Sequence, residues 1–237
     1  MRNQAIKVQQ SAAVDISVAG VCIALDPCGI AYLPDSRALV VSDMHLEKGA
    51  AFARTRQFLP PYDTRETLAR LGAAIASYAP RIVISLGDSF HREDSAEALA
   101  PEDRLAVGQL VRGRDWIWIA GNHDPSVPAR LGGSSALELA CGGLVFRHEP
   151  SPDATRGEVA GHLHPGAKIV SSGRSVRRPC FATDGRRLIM PSFGSYTGCL
   201  NVLDNAYTGL FDRRRLSACM IGNGRIYPVP ARRLWPD

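Results

Sequence analysis

The chain has 237 residues with an apolar content of 45%, which is enough to build the core of one large α/β domain. No apolar stretch approaches the ~20 residues that a membrane span needs, and the first residues lead into no apolar segment of the signal-peptide kind. A cytoplasmic protein is therefore expected. The six cysteines lack the short paired spacing of zinc sites, so we expect them to be reduced and partly buried.

The formal net charge is +5, and much of this excess lies in one part of the chain. Between Gly166 and Arg187 the only acid is Asp184, and the cations are Lys168, Arg174, Arg177, Arg178, Arg186 and Arg187. A moderate basic excess favours a polyanionic partner such as nucleic acid. Two interpretations stay open for this basic run: a surface that contacts a phosphate backbone, or the solvated face of a hairpin.

The N-terminal part predicts short strands. Residues 16–25 and 29–33 are apolar runs on either side of turn residues, so they predict a hairpin. The continuous run Ala38–Val41 predicts a strand that is buried on both faces. Asp43 and His45 follow it, and in an extended chain they point the same way, so that they could bind one metal ion.

Strands and helices alternate in the middle of the chain. After a loop at 46–60, Asp63 predicts a helix cap and is followed by apolar residues at helical spacing. Residues 81–86 predict a buried strand, Pro101 marks the start of a second helix, and residues 116–120 predict the next strand. Parallel strands joined by helices bring their carboxyl ends to one edge of a sheet, so the polar residues that follow them should meet there.

Short strands replace this alternation in the last hundred or so residues, and a turn at Asp184-Gly185 predicts a hairpin. The predicted strands are residues 144–147, 158–160, 180–183, 186–190, 201–203 and 225–229. A second sheet packed on the first gives the predicted fold class, an α/β protein with a sandwich of two mixed sheets flanked by helices. We expect one domain of residues 1–237, in which 38–165 carry the motifs and 166–237 form a strand-rich part with the basic hairpin.

All six histidines of the chain stand at a predicted strand end or beside a carboxylate, a pattern that indicates metal ligands or acid–base groups. The turn Gly121-Asn122-His123-Asp124 combines an amide, an imidazole and a carboxylate, which can bind a metal, transfer a proton and orient the proton carrier. The candidate metal ligands at these positions are Asp43, His45, Asp88, Asn122, His148, His162 and His164.

Seven donors are more than one ion with open positions can use, so we expect two divalent metal ions. Asp88 could reach both, because a carboxylate has two oxygens. Imidazole, carboxylate and amide ligands without a thiolate suit manganese, the expected metal, as well as iron, zinc or magnesium. Two such ions, about 3.5–4 Å apart, can hold a bridging hydroxide and clamp phosphoryl oxygens during an in-line displacement. The expected reaction is hydrolysis of a phosphate ester.

The order of the motifs DxH, GDxxH, GNHD, H and GHxH along residues 38–165 resembles the calcineurin-like metallophosphoesterase superfamily. The resemblance implies that one ion is bound by Asp43, His45, Asp88 and His164. It implies that the other ion is bound by Asp88, Asn122, His148 and His162.

The same resemblance implies catalytic roles for three further residues. His123 would be the general acid that protonates the leaving oxygen, and Asp124 would orient it. His91 matches an additional histidine of some nucleases in the superfamily, where it assists the turnover of nucleic acid. The alternative is that His91 only holds the metal ligands in position and does not contact the substrate.

Longer blocks make nearly the whole chain similar to the ligase-associated endonucleases of the bacterial DNA damage response. These blocks include SDMHLEKG, LGDSFHRED, RDWIWIAGNHDP, AGHLHP and SFGSYTGCLNV. The resemblance implies a phosphodiesterase that acts in DNA repair with an ATP-dependent DNA ligase and a helicase. Because residues after the motifs leave no room for a separate DNA-capping domain, we expect single strands, flaps or small diesters as substrates rather than duplex.

Two other functions stay open at this point. A phosphoesterase for nucleotides or other small phosphate esters would use the same site chemistry, and the basic run would then have no role in binding. A metal-free scaffold that binds protein partners would be expected to have lost ligands, but none of the seven is missing.

Overall fold

The computed structural model of the protein describes residues 13–54, 62–92, 94–126, 129–154 and 157–237. Its first sheet has seven strands, which lie side by side in the order of the sequence. They are β1 (Val14–Val18), β2 (Val21–Leu25), β3 (Ala31–Leu33), β4 (Ala38–Val41), β5 (Ile82–Ser85), β6 (Asp115–Ile119) and β7 (Ser134–Ala136). The pairs from β1 to β4 are antiparallel, and those from β4 to β7 are parallel.

Helices connect the parallel strands of this sheet. They are α1 (Lys48–Arg54), α2 (Asp63–Tyr78), α3 (Ser95–Ala98) and α4 (Pro101–Val111). The longest, α2, packs Leu68, Leu71 and Ile75 against the first sheet. It ends at Ala79, whose left-handed backbone lets its N–H donate to the carbonyl of Ile75. The connections therefore place the carboxyl ends of β4, β5 and β6 at one edge.

The second sheet contains the remaining strands, in the order β14-β11-β12-β13-β10-β9-β8, with β15 attached to β12 and β16 attached to β15. The strands are β8 (Glu138–Cys141), β9 (Leu144–Arg147), β10 (Glu158–Ala160), β11 (Pro165–Ser171), β12 (Arg174–Thr183), β13 (Arg187–Ile189), β14 (Leu200–Asn201), β15 (Ser217–Gly222) and β16 (Arg225–Pro230). Its parallel strands β9, β10 and β13 direct their carboxyl ends toward the histidine motifs that follow β9 and β10.

The long strand β12 forms a hairpin with β11, and its second half pairs with the first strand of another hairpin. Its residues 174–179 pair with β11, and its residues 180–183 pair with β15, which continues into β16. The β11–β12 hairpin and the β15–β16 hairpin therefore diverge from one strand.

Three clusters of apolar side chains hold these layers together. The first lies between the sheets and joins residues such as Val40 and Ile84 to Phe146 and Leu188. The second lies under the helices, and the third fills the space around β12, β15 and the chain after β14. Two mixed sheets packed through a common core, with helices on the outside, confirm the predicted fold class.

Most predicted elements of the motif-bearing half are present, with three corrections. A turn at Ala19-Gly20 divides residues 16–25 into β1 and β2. The predicted loop at 46–60 contains α1, and its residues 55–60 lie outside the described part of the chain. Asp63 does not cap α2. Its Oδ2 atom instead accepts a hydrogen bond from the backbone N–H of Gly49 at 2.9 Å, which ties α1 to α2.

The strands that the sequence did not predict are β7, β8, β11 and β15. The first half of β12 was also missed, because residues 174–179 are all exposed and therefore show no apolar alternation. No helix in the described ranges is long and apolar enough to cross a membrane. The six cysteines are all free.

Candidate metal centre

Five of the predicted ligands have a left-handed backbone. Asp43, His45, Asp88, His162 and His164 have φ angles between 44° and 69°. Such angles are uncommon for residues with a side chain, cost of order 1–3 kcal/mol each and persist where the surroundings determine them. The argument from an extended chain for Asp43 and His45 is therefore wrong, although both side chains do reach one cluster.

Asp43, His45 and His164 form the first group of possible ligands. The Nε2 atom of His164 lies 3.1 Å from Oδ1 of Asp43 and 3.4 Å from Nε2 of His45. The buried carboxylate of Asp43 also accepts hydrogen bonds at Oδ2, from Oγ of Ser42 at 2.5 Å and from the backbone N–H of His162 at 3.1 Å. These bonds fix the carboxylate in front of the two imidazoles.

Asp88, His148 and His162 form a second group. The Nε2 atom of His148 lies 3.4 Å from Oδ2 of Asp88 and 3.2 Å from Nδ1 of His162. The other ring nitrogen of His148 lies 2.7 Å from the carbonyl oxygen of Leu86, so a proton on Nδ1 donates there and leaves Nε2 to face the group. Because Leu86 lies between β5 and Asp88, one stretch of chain supplies one ligand and orients another.

Asp88 connects the two groups through a single oxygen. Its Oδ1 accepts a hydrogen bond from the backbone N–H of His123 at 2.9 Å. Its Oδ2 lies 3.4 Å from Nε2 of His148 and 4.0 Å from Nε2 of both His45 and His123. The sequence argument assigned one oxygen to each ion, whereas the geometry leaves Oδ2 facing both groups.

Two glycines of the motifs make this close packing feasible. Gly87 has a φ of 77°, and a Cβ atom there would lie 2.6 Å from the ring of His148. A Cβ atom at Gly121 would lie 2.1 Å from the backbone nitrogen of Asp88 and 2.3 Å from its Oδ1. Real Cβ atoms do not approach other atoms so closely, so both motifs need glycine before the polar residue.

Asn122 and His123 lie at the exposed mouth of the site. The side chain of His123 is 47% exposed, and its Nε2 forms a third group with His45 and Asp88. The ring of His91 stacks on that of His123, with centroids 5.6 Å apart and an interplanar angle of 17°. His91 also stacks with Phe52 of α1. It therefore supports the plane of His123, and its ring also packs edge-on against that of His45, with centroids 5.7 Å apart.

Asp124 is buried, and its hydrogen bonds go to the loop after Asp88. Its Oδ2 accepts hydrogen bonds from the backbone N–H groups of Ser89 and Phe90 at 2.8 and 3.1 Å, and its Oδ1 has no partner among the described residues. Burial raises the pKa of Asp124 to about 7. No hydrogen bond or ion pair joins it to the His123 ring in the described part of the chain. Asp124 thus fastens the loop that carries Asp88 to the turn that carries His123.

The ionisation of the site follows from burial and the neighbouring charges. Burial lowers the pKa of His45 to about 3 and, followed by the charge of Lys48, lowers the pKa of His91. Burial opposes charge on Asp43 and Asp88 too, but bonds from His164 and His148 outweigh it and lower both pKa values. Both carboxylates are therefore ionised at neutral pH and give the cluster the negative charge that cations require.

The donor set fits divalent cations. In each of the two groups the ligand atoms all lie within 4.8 Å of one another. Two pairs of imidazole nitrogens approach to 3.4 and 3.2 Å while they face carboxylate oxygens, an arrangement in which a shared cation satisfies all of them. Nitrogen and oxygen donors without thiolate suit manganese, iron or zinc.

A segment after β13 holds the first group in place, and sequence reasoning assigned it no role. The Oγ atom of Ser192 donates to the backbone carbonyl of Asp43 at 3.0 Å. The backbone N–H groups of Phe193 and Gly194 donate to the carbonyls of Ser42 and Asp43 at 2.9 and 3.1 Å. The only signal in the sequence is that this segment opens the block SFGSYTGCLNV.

The six cations of the basic run lie in different environments. Arg187 is 5% exposed, and its Nε donates to Oε2 of Glu158 at 2.5 Å. Arg177 pairs with Asp237 at 3.1 Å and donates to the carbonyl of Cys199. Arg174, Arg178 and Arg186 are exposed and Lys168 is half-buried. Both interpretations of the basic run require exposed side chains, so neither holds for Arg187, which is a buried structural residue.

The geometry agrees with the comparisons to known proteins. The model of the calcineurin-like phosphoesterase family matches residues 36–180, a range that contains all seven predicted ligands. The chain belongs to this family and is a metal-dependent phosphoesterase.

Among solved structures, the chain is similar to the nuclease MPE of Pseudomonas putida, with 28% sequence identity and a TM-score of 0.70. That match covers 92% of this chain and 100% of the nuclease. A conserved uncharacterised protein of Streptococcus pneumoniae, described as a predicted phosphoesterase, has 14% identity and a TM-score of 0.33 over 81% of this chain and 95% of its own. The second likeness is too weak to support an argument. No curated protein matches the chain.

Proposed function

We propose that this phosphoesterase is a two-metal phosphodiesterase that cuts DNA, with single strands and flaps as substrates. The observation that carries the proposal is the pair of ligand groups joined by Oδ2 of Asp88, with the exposed ring of His123 at their mouth. The similarity to a nuclease over 92% of the chain supports a diester substrate.

In this proposal, the first ion is held by Asp43, His45 and His164, and the second by Asp88, His148, His162 and the amide of Asn122. Asp88 contributes to both. When bound, two such ions would polarise the phosphoryl group and lower the pKa of water that acts as the nucleophile. The protein supplies the fixed geometry, because Ser42 donates a hydrogen bond to Asp43 and His148 donates one to the carbonyl of Leu86 before any ligand arrives.

His123 is proposed to protonate the leaving oxygen. Its ring lies beside Oδ2 of Asp88 and is partly open to solvent, so it can reach a substrate that contacts both ligand groups. Stacking on His91 limits the rotation of the ring, and the backbone N–H bond to Asp88 fixes the turn. Asp124 fixes the same turn, because it accepts hydrogen bonds from the backbone N–H groups of Ser89 and Phe90 in the neighbouring loop.

The shape of the site favours a strand over a small ester. Next to His162 and His164 the surface forms an open depression of about 360 Å³, floored by Gly198, Cys199 and Leu200. A site for a nucleotide would bury most of its ligand in a closed pocket. An open depression instead lets a polymer extend on both sides of the bond that is cut.

The metal and the cellular role are proposed from the chemistry of the ligands and from the sequence resemblance. Manganese is proposed as the metal, because mixed imidazole and carboxylate ligands suit it. A cytoplasmic role in DNA repair beside an ATP-dependent ligase and a helicase is proposed from the similarity to ligase-associated endonucleases.

A substrate panel with added manganese tests the proposal. It contains single-stranded DNA, duplex DNA, a flap, cyclic nucleotides and bis(p-nitrophenyl) phosphate, and Asp88→Asn serves as the control for contaminating nucleases. We expect the single strand and the flap to be cut, and duplex to be resistant. If only the cyclic nucleotides or other small esters are hydrolysed, the protein is a small-molecule phosphoesterase instead. Metal analysis after chelation and reconstitution tests whether two ions bind.

A further inference from the structure

The two hairpins that diverge from β12 enclose an apolar groove of about 480 Å³, built by residues outside the metal centre. Its walls include Ile169 of β11, Val176 of β12, Met220 of β15 and Tyr227 of β16. Val176 and Tyr227 remain 42% and 46% exposed, which is unusual for large apolar side chains grouped in one place. The groove is therefore a surface on which something can bind.

The charge around the groove selects the kind of ligand. Residues 165–182 and 217–237 carry one acid, Asp237, and the cations Lys168, Arg174, Arg177, Arg178, Arg225, Arg232 and Arg233. The whole chain has 28 basic and 23 acidic residues, so without these two segments it has 21 basic and 22 acidic residues. These two segments, which contain the two hairpins, therefore carry the entire positive excess of the protein, and Arg178 and Arg233 line the groove itself.

Two exposed aromatic rings belong to the same face. Tyr227 lies in the groove, and Trp235, which is 53% exposed, follows the groove residue Arg233 by two positions. The position of Trp235 is fixed, because its backbone N–H donates to the carbonyl of Lys168 in β11 and its carbonyl accepts from the side chain of Asn201. Aromatic rings beside arginines are the usual means by which proteins bind unpaired bases and their phosphates.

We propose that this groove is a second contact site for nucleic acid, in which an unpaired base stacks on Tyr227 while Arg178 and Arg233 bind the adjoining phosphates. A duplex fits less well, because its bases are stacked inside and offer no free face to a tyrosine ring. An apolar segment of a partner protein would fill the groove but would leave the surrounding cations without counter-charges. The proposal rests on the DNA-cutting function proposed above, and it adds a place where the strand is held.

The fold connects this groove to the metal centre. Strand β11 begins at Pro165, directly after the ligand His164, and its residue Ile169 lines the groove. The depression beside His164 is floored by Cys199, whose carbonyl accepts a hydrogen bond from Arg177 of the same hairpin. A strand that leaves the metal centre along β11 would therefore meet cations first and the groove next.

Binding and cleavage of oligothymidylates of different lengths test the proposal, with lengths from about 4 to 16 nucleotides, the range of site sizes in single-strand grooves. The variants are Tyr227→Ala, Tyr227→Phe and Arg178→Glu. The matched controls are Leu105→Ala, which removes an exposed apolar side chain from α4, and Arg112→Glu, which reverses an exposed charge after α4. Thermal unfolding of each variant shows whether it is folded.

We expect Tyr227→Ala to raise the dissociation constant and the KM for long oligomers roughly 5- to 100-fold, with a smaller effect on the shortest ones. Tyr227→Phe should restore binding, since it keeps the ring. Arg178→Glu should weaken binding and flatten its salt dependence. Both controls should bind as the wild type does.

Different results would contradict this proposal and the proposed DNA-cutting function. If the wild type cuts single strands but folded Tyr227→Ala and Arg178→Glu bind and cut every length equally well, the groove is not a nucleic-acid site and a protein segment becomes the better occupant. If the wild type neither binds nor cuts any DNA, both proposals are wrong.

Discussion

The metal centre and the face formed by the β11–β12 and β15–β16 hairpins, here called the two-hairpin face, differ in the burial and the rigidity of their side chains. In the metal centre the side chains of Asp43 and Asp88 are almost completely buried, and His162 and His164 are fixed by a backbone of uncommon φ angles. On the two-hairpin face, residues 174–179 of β12 are all exposed, and Tyr227 is nearly half exposed. One region has a single rigid arrangement, and the other offers a broad surface with repeated charges.

This difference suits the two tasks proposed for these regions. A reaction centre needs its groups fixed to a fraction of an ångström, which burial and dense hydrogen bonding provide. Holding a flexible polymer needs charge and ring surfaces that accept many positions of the strand. Substitutions in the metal centre should therefore abolish activity on every substrate, whereas substitutions on the two-hairpin face should affect only long ones.

The largest effect is expected for Asp88→Asn. Its Oδ2 faces both ligand groups, and an amide there would remove the negative charge that would hold two cations close together. We expect activity on DNA and on bis(p-nitrophenyl) phosphate to fall to background, with fewer than two metal ions bound per chain. Metal content and both rates should be measured side by side, with Asp15→Asn, an exposed aspartate of β1, as the control. A variant with two ions and a near-normal rate would contradict the shared role.

The loss of rate in His123→Ala should depend on the leaving group of the substrate. An alkoxide leaving from DNA needs a proton, whereas p-nitrophenolate leaves with little help. General acid catalysis contributes ~10²- to 10⁴-fold, so the rate on DNA should fall by that factor and the rate on the p-nitrophenyl diester far less. His123→Ala should still bind two ions, since the two main groups do not include it. Equal losses on both substrates, or the loss of an ion, would make His123 a ligand and His91 the next candidate for the acid.

Sequence reasoning succeeded where the physical signal is local. The β-branched run before Asp43 and the apolar run before Asn122 predicted strands that end at the site, and the parallel order of the strands then brought Asp43 and Asp88 together. Its errors came from contacts between distant residues. The partners of Asp124 are 34 and 35 residues away, and those of Asp63 and Arg187 likewise lie outside their own segments.

Other features could not be predicted because they lack a pattern. The outer half of β12 is exposed on every residue, so it shows none of the alternation that marks a half-buried strand. The left-handed backbone at Asp43 and His162 has no signature in the sequence, since neither residue is glycine. The groove at Tyr227 depends on two hairpins that diverge, and only the structure shows this.

Arg187 and Arg178 have different expected roles within the basic run. Arg187 should stabilise the fold, and Arg178 should contact DNA. Arg187 is buried, and it donates to Glu158, to the carbonyl of Leu210 and to the carbonyl of Ser151. Removing one partner of a buried ion pair costs about 3–5 kcal/mol, so Arg187→Met should lower the free energy of unfolding by that amount. Arg178→Met should leave unfolding nearly unchanged and lower the salt slope of DNA binding by about 1. Denaturant unfolding and salt-dependent binding measure the two effects, and equal stability of both variants would contradict this assignment.

The smallest effect is expected from pH. Burial opposes the protonation of His148, but its hydrogen bond to Asp88 and the charges of Asp43 and Asp88 raise its pKa from 6.5 to about 9. Because the folded value lies above the unfolded one, the protonated ring stabilises the metal-free protein fully below pH 6.5, and this contribution is lost as the pH rises through about 9. A metal ion competes with the same proton, so metal affinity should rise over that window and binding should release a proton.

The measurement is the unfolding midpoint of the chelated and the manganese-loaded protein at several values between pH 6.5 and 9. We expect the chelated protein to become less stable as the pH rises, while the stabilisation that manganese adds increases, because metal binding to the folded state shifts the unfolding equilibrium. His148→Gln removes the contribution of His148, and it should also raise the pKa of Asp124 further, because the charge of His148 lowers that pKa in the wild type. If the wild type and His148→Gln show the same pH dependence without metal, His148 is neutral in the folded protein, and Asp88 must be held in place by the backbone N–H of His123 alone.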